Sequence, residues 1–122
     1  MTDINETIDI WLGAWTEPDE QRRLDLIGQV WAEDGQLIDP PMAATGHTEL
    51  STVTAALQGQ FPGHRFRRTT GIDVHHDLCR YGWELVAPDG AITVAGIDVG
   101  EIAPEGRLQR ITGFFGELPA PA

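Results

Sequence analysis

The apolar residues change period once along the chain, and that change limits the possible folds more than any single motif does. Up to residue 63 they recur every three or four positions, and beyond it they alternate. Helices first and hairpins second is an α+β arrangement, with the helices packed on one face of a curved, mainly antiparallel sheet. The first helix is predicted over residues 3–16: Ile4, Ile8, Trp11, Leu12 and Trp15 share one face, and Asp3 with Glu6 forms a capping pair. Pro18 suits the first position of a second helix that runs to about Ala32, with Leu24, Ile27, Val30 and Trp31 as its stripe and Gly35 closing it. Gln36–Asp39 then reads as a short strand stopped by Pro40-Pro41. Thr48 is the expected cap of a third helix, with Leu50, Val53, Leu57 and Phe61 inward and Pro62-Gly63 ending it. Strands are predicted at 64–75, 79–87, 91–103 and 107–117. Pro88-Asp89-Gly90 and Pro104-Glu105-Gly106 are compact turns joining the last three, as a meander requires.

The 122 residues fit one domain, predicted over 1–118 with a flexible tail at 119–122. Eight basic against nineteen acidic residues give a net charge of -11, which disfavours nucleic acid and anionic membranes as partners. Every basic residue is Arg, so Schiff-base and lysine-nucleophile chemistry are excluded. The only cysteine, Cys79, cannot form an internal disulfide and reads as a small core residue. No apolar run approaches the roughly 20 residues a bilayer requires, and Met1–Glu6 lacks a basic signal-peptide start. The expectation is a soluble cytoplasmic protein. No phosphate loop or Gly-x-Ser-x-Gly motif occurs, and no cofactor is implied.

Two carboxylates lie inside apolar segments. Alternation puts Asp98 on the face of Ile92, Val94 and Ile102, where lost hydration would favour its protonated form, and Gly96 and Gly100 would leave a hollow beside it. The inverted sheet, with Ile97 and Val99 inward, would put Asp98 in solvent. Asp39 precedes Pro40 and is therefore held extended at the end of a strand, either as a general base at a cavity rim or as an ordinary turn aspartate. Trp31, Phe61, Tyr81, Trp83 and Phe115 are the large rings of the apolar segments and, read singly, could simply fill the core. His75 and His76 point to opposite faces of a strand and cannot share a metal ion, so no metal site is predicted. They fit a pair at a hairpin beside Asp77. Arg65, Arg67 and Arg68 read as a solvated strand face.

Trp31-Ala32-Glu33-Asp34, Leu37-Ile38-Asp39-Pro40, Gly46 before a helix, Ile97-Asp98-Val99 and Gly106-Arg107-Leu108-Gln109 follow one another in an order and at separations that resemble the NTF2-like superfamily, within it the ketosteroid isomerase and SnoaL-like cyclase branch. The resemblance covers almost the whole chain and implies a cone-shaped α+β fold. It also implies that Asp39 is a proton-shuttling base and Asp98 a protonated donor to an enolate oxygen. It further implies that Trp31, Phe61, Tyr81, Trp83 and Phe115 are contacts for an apolar substrate, and that His75 or His76 could enter the pocket as an acid or base, since SnoaL-like cyclases pair a histidine with an aspartate. The tyrosine that completes this oxyanion hole in ketosteroid isomerase is replaced here by Trp15, a donor only and a much weaker acid. Gly96 stands where limonene epoxide hydrolase carries an Arg two residues before its Asp, which disfavours epoxide hydrolysis. The implied function is a cofactor-independent isomerase or cyclase acting on a small apolar molecule. The competing expectation is a non-catalytic module that binds such a molecule or dimerises. Relatives commonly form homodimers through the sheet.

Overall fold

The computed structural model describes residues 3–122 and contains three helices and one seven-stranded sheet. Helix α1 spans Ile4–Ala14, its first turn closed by the Asp3 carboxylate accepting from the Glu6 amide at 2.9 Å. Helix α2 spans Glu20–Val30, and Asp19 accepts from the Arg22 amide in the same way. Pro18 therefore lies just outside the helix. Strand β1 (Trp31–Asp39) follows without a connecting residue, then β2 (Met42–Thr45), α3 (His47–Gln60), β3 (Arg65–Arg68), β4 (Asp73–His75), β5 (Leu78–Val86), β6 (Ile92–Ile102) and β7 (Leu108–Phe115).

The sheet order is β2-β1-β7-β6-β5-β3, with β4 also pairing β5; β1 and β7 run parallel and the other pairs antiparallel. The helices cover one face of this sheet. Trp11, Ile8, Ile27, Leu50, Leu37, Leu108 and Ile111, all at most 2% exposed, fill the space between them. No helix of the described residues is long and apolar enough to cross a membrane.

Four sequence expectations are corrected. Helix α2 ends at Val30, so Trp31 and Ala32 belong to a strand: Trp31 turns extended and pairs Leu108, a long-range gain that local periodicity does not register. Gly35 accordingly stops no helix. It lies within β1, where a Cβ would meet the Trp31 ring at 2.5 Å, and the pairing of β1 with β7 shifts register over this stretch. Strand β1 does stop at Pro40-Pro41 as expected, and these two residues form the turn of a tight hairpin with β2, in which Asp39 pairs Met42 and Gln36 pairs Thr45. Helix α3 begins one residue before Thr48, after Gly46 at φ 86°, and the Glu49 carboxylate reaches back to the Thr45 amide at 3.0 Å. The single strand predicted over 64–75 is two short ones. Thr69 and Thr70 break it to bond Gly82, the Thr69 amide donating to the Gly82 carbonyl and the Gly82 amide to Thr70 Oγ1, both at 2.9 Å.

Candidate functional site

Antiparallel register brings Tyr81, Asp98 and Gly113 side by side across β5, β6 and β7. Tyr81 donates its hydroxyl to Asp98 Oδ2 at 2.8 Å. Trp83, two residues along β5 on the same face, donates its indole N–H to Asp98 Oδ1 at 2.9 Å. On the other side, the parallel pairing of Ile38 with Thr112 carries Asp39 to the level of Gly113. A Cβ on Gly113 would collide with Asp39 Oδ1 and lie 3.0 Å from Asp98 Oδ1. The missing side chain is what lets two carboxylates 59 positions apart meet above the sheet.

Both acids open into a cavity of about 390 Å³ between the sheet and helices α1 and α3. Its walls are apolar, with Trp15 from the C-terminal cap of α1, Phe61 after α3, and Phe66, Trp83 and Phe115 from the sheet. The rings form a continuous series with centroids 5.1 to 5.4 Å apart, tilted at Trp11–Trp15 and edge-to-face at Trp15–Phe66, Phe66–Trp83 and Trp83–Phe115. Asp98 is only 7% exposed. Burial raises its pKa to about 7; the Tyr81 hydrogen bond opposes that rise, the Asp39 charge adds to it, and the Trp83 hydrogen bond opposes it again. Burial alone raises Asp39 to about 6. Asp39 Oδ1 is shut off from solvent and accepts no hydrogen bond among the described residues. Burial likewise lifts the Tyr81 hydroxyl well above its ordinary range, and the negative Asp98 beside it adds to this, so Tyr81 remains a donor.

These shifts make stability depend on pH. An acid whose pKa is higher folded than unfolded keeps protons that the unfolded chain has already released, so stability declines as pH rises from about 4 through the folded values of 6 and 7. For Asp39 the decline is no more than about 3 kcal/mol. Thermal melts should therefore show a lower Tm at pH 8 than at pH 5, and Asp39→Asn should flatten that slope. An unchanged slope in the variant would contradict the burial of Asp39.

Of the predicted site residues, Asp39, Asp98, Trp15, Phe61, Trp83 and Phe115 line the cavity. Two predicted contacts do not. Tyr81 lies behind the wall, wholly engaged with Asp98, and Trp31 is buried in the core with its ring edge-on to Trp11. Among the described residues Trp15 bonds neither carboxylate; the indole donor to Asp98 is Trp83. Gly96 and Gly100 leave no hollow. The Trp83 ring and the Cys79 sulfur occupy the space a Cβ would need, at 2.5 and 2.7 Å. Gly96, paired with both Trp83 and Phe115, is where those two rings can meet. His75 and His76 sit at the exposed β4–β5 turn, outside the cavity, with Nδ1 atoms 3.1 Å apart and His76 at φ 54°. No group of three or more metal-ligating side chains occurs among the described residues. Sequence reasoning missed Gly113, whose role appears only once three strands are in register, and Phe66, Gln60 and Met42, which line the cavity.

A protein of the SnoaL-like family from Agrobacterium tumefaciens, with a proposed isomerase activity, superposes on the chain with a TM-score of 0.88 at 35% identity, covering 96% of this chain and 100% of its own. The chain belongs to the SnoaL-like family. Two more distant structures share its fold. A hypothetical protein with a ketosteroid isomerase-like fold from Catenulispora acidiphila, solved in complex with trimethylamine, has a TM-score of 0.72 at 16% identity, covering 91% of this chain and 85% of its own. A proposed SnoaL-like polyketide cyclase from Jannaschia sp. CCS1 has a TM-score of 0.66 at 16% identity, covering 94% and 89%. No protein-family profile and no functionally curated protein matches the chain. In this SnoaL-like protein the sheet carries both acids, and the helices and neighbouring segments complete the cavity around them.

Proposed function

We propose that the protein is a cofactor-independent isomerase or cyclase-like enzyme that moves a proton next to a carbonyl on a small apolar substrate. The observation that carries this reading is the pair of carboxylates with different surroundings lining one apolar cavity. Asp39, which lines the cavity and has the lower of the two raised pKa values, is suited to remove a proton from carbon. Asp98 keeps its proton to higher pH and can donate it to the developing enolate oxygen, while Tyr81 and Trp83 hold its two oxygens in place. Each carboxyl oxygen has a second site free for such a bond. The ring-lined walls supply the contact area for the rest of the substrate, with Trp15 as one of its faces.

The direct test needs no knowledge of the natural substrate. Cyclic apolar ketones are incubated with the protein in heavy water, and deuterium entry at the carbon beside the carbonyl is followed by NMR. Exchange accelerated over buffer supports the reading, and no acceleration for any ketone that binds refutes it. The rate should be bell-shaped in pH, rising near 6 as Asp39 ionises and falling near 7 as Asp98 loses its proton. A rate that keeps rising above pH 8 would remove Asp98 from the donor role.

The outer face of the sheet favours the second reading, a binding or dimerisation module. Ile97 and Phe114 pair directly across β6 and β7, exposed by 50% and 62%, with Val99 and Ile38 beside them. This patch supports a homodimer formed sheet to sheet, which light scattering on the purified protein would reveal. With a single buried cysteine, the chain also suits the cytoplasm.

A further inference from the structure

Two carboxyl groups and no cationic side chain line the cavity among the described residues. Its lining includes Asp39 and Asp98 but no Arg or His, and the chain contains no Lys. Buried carboxylates are ordinarily matched by a cation or by several donors. Asp98 has Tyr81 and Trp83; Asp39 Oδ1 is buried and accepts nothing. The Asp39 carboxylate lines the cavity, so a ligand that meets it must bring a hydrogen of its own, and one that also brings positive charge balances the pair. A hard metal ion does not fit, because it needs about six oxygen ligands and the surrounding wall is hydrocarbon. An organic cation does fit. Aromatic faces attract alkylammonium groups, and Trp15, Phe66, Trp83 and Phe115 supply several around the same cavity. The net charge of -11 draws such ions from solution.

We propose that this cavity binds lipophilic tertiary ammonium ions, the N–H donating to the Asp39 carboxylate and the carbon substituents lying against the aromatic walls. The inference rests on the reading of the cavity as a small-molecule site and goes beyond proton transfer: such an ion takes the place of the carbonyl substrate and competes with it.

The test compares three probes of nearly one shape at pH 8, read by quenching of tryptophan fluorescence. N,N-dimethylbenzylamine is protonated and has an N–H. Isobutylbenzene has the same outline without charge, and benzyltrimethylammonium has charge without N–H. The amine should bind at least tenfold more tightly than the hydrocarbon and more tightly than the quaternary ion. Its advantage over the hydrocarbon should fall below threefold in Asp39→Asn. Equal binding of amine and hydrocarbon by the wild-type protein overturns the proposal without reliance on any variant. A preference that survives Asp39→Asn, or a quaternary ion bound as tightly as the amine, overturns the contact with Asp39. If ketones exchange deuterium and the preference for the amine is absent, this inference alone falls. If the preference holds and no ketone exchanges, the proton-transfer reading falls instead.

Discussion

Asp39→Asn is expected to slow deuterium exchange into a bound ketone by about a thousandfold, within the range of roughly 10²–10⁴ that a positioned acid or base contributes. The substitution keeps the shape of the side chain and removes only its capacity to take up a proton. Because the carboxylate is destabilised by burial, the variant should at the same time melt at a higher temperature than the wild-type protein at pH 8. Loss of rate together with gain of stability distinguishes a missing base from a damaged fold. Exchange within tenfold of the wild-type rate would assign the proton transfer to another group.

Gly113→Ala is expected to be nearly as damaging although it adds one methyl group. That methyl would occupy the place where Asp39 Oδ1 now lies and would press on Asp98 Oδ1. Neither the β7 backbone nor Asp98, held at both oxygens, has room to yield, so Asp39 is the group that must move. A displacement of about 1 Å in a catalytic group can cost about a hundredfold in rate. Overpacking at the site should lower stability by about 1–3 kcal/mol. Circular dichroism should show the sheet intact while exchange falls about a hundredfold. A fully active Gly113→Ala protein would mean that the two acids need not stand so close.

The helices were legible because their signal is local. Ile8, Trp11, Leu12 and Trp15 repeat on one face, and Asp3 and Asp19 cap the turns that follow them. The two carboxylates were legible for a related reason: each is a charge among apolar neighbours, which periodicity alone exposes. What remained hidden depends on pairing between distant segments. Trp31 continues a helical stripe in the sequence, yet it is extended because Leu108 is there to pair with it. Tyr81 and Trp83 read as equivalent members of one alternating face, but register puts Tyr81 beneath Asp98 and the Trp83 ring on the cavity wall. The indole placed on the first helix by family resemblance, Trp15, serves as wall, whereas the indole that donates to Asp98 comes from the sheet. Glycines mislead most, because an absent side chain says nothing about what takes its place. Gly96 and Gly113 have the same composition and opposite consequences: one is covered by a ring, the other by two acids.

The parallel run of β1 beside β7 separates the reactive groups from the surfaces that judge shape. Asp39, Asp98, Tyr81 and Gly113 are fixed by strand register, whereas Leu12, Trp15, Val53, Ala56, Leu57 and Gln60 come from α1, its C-terminal cap and α3. Exchanging residues in that second set would remodel what the chamber admits while leaving its acid pair undisturbed, so selectivity in this scaffold is free to drift independently of chemistry.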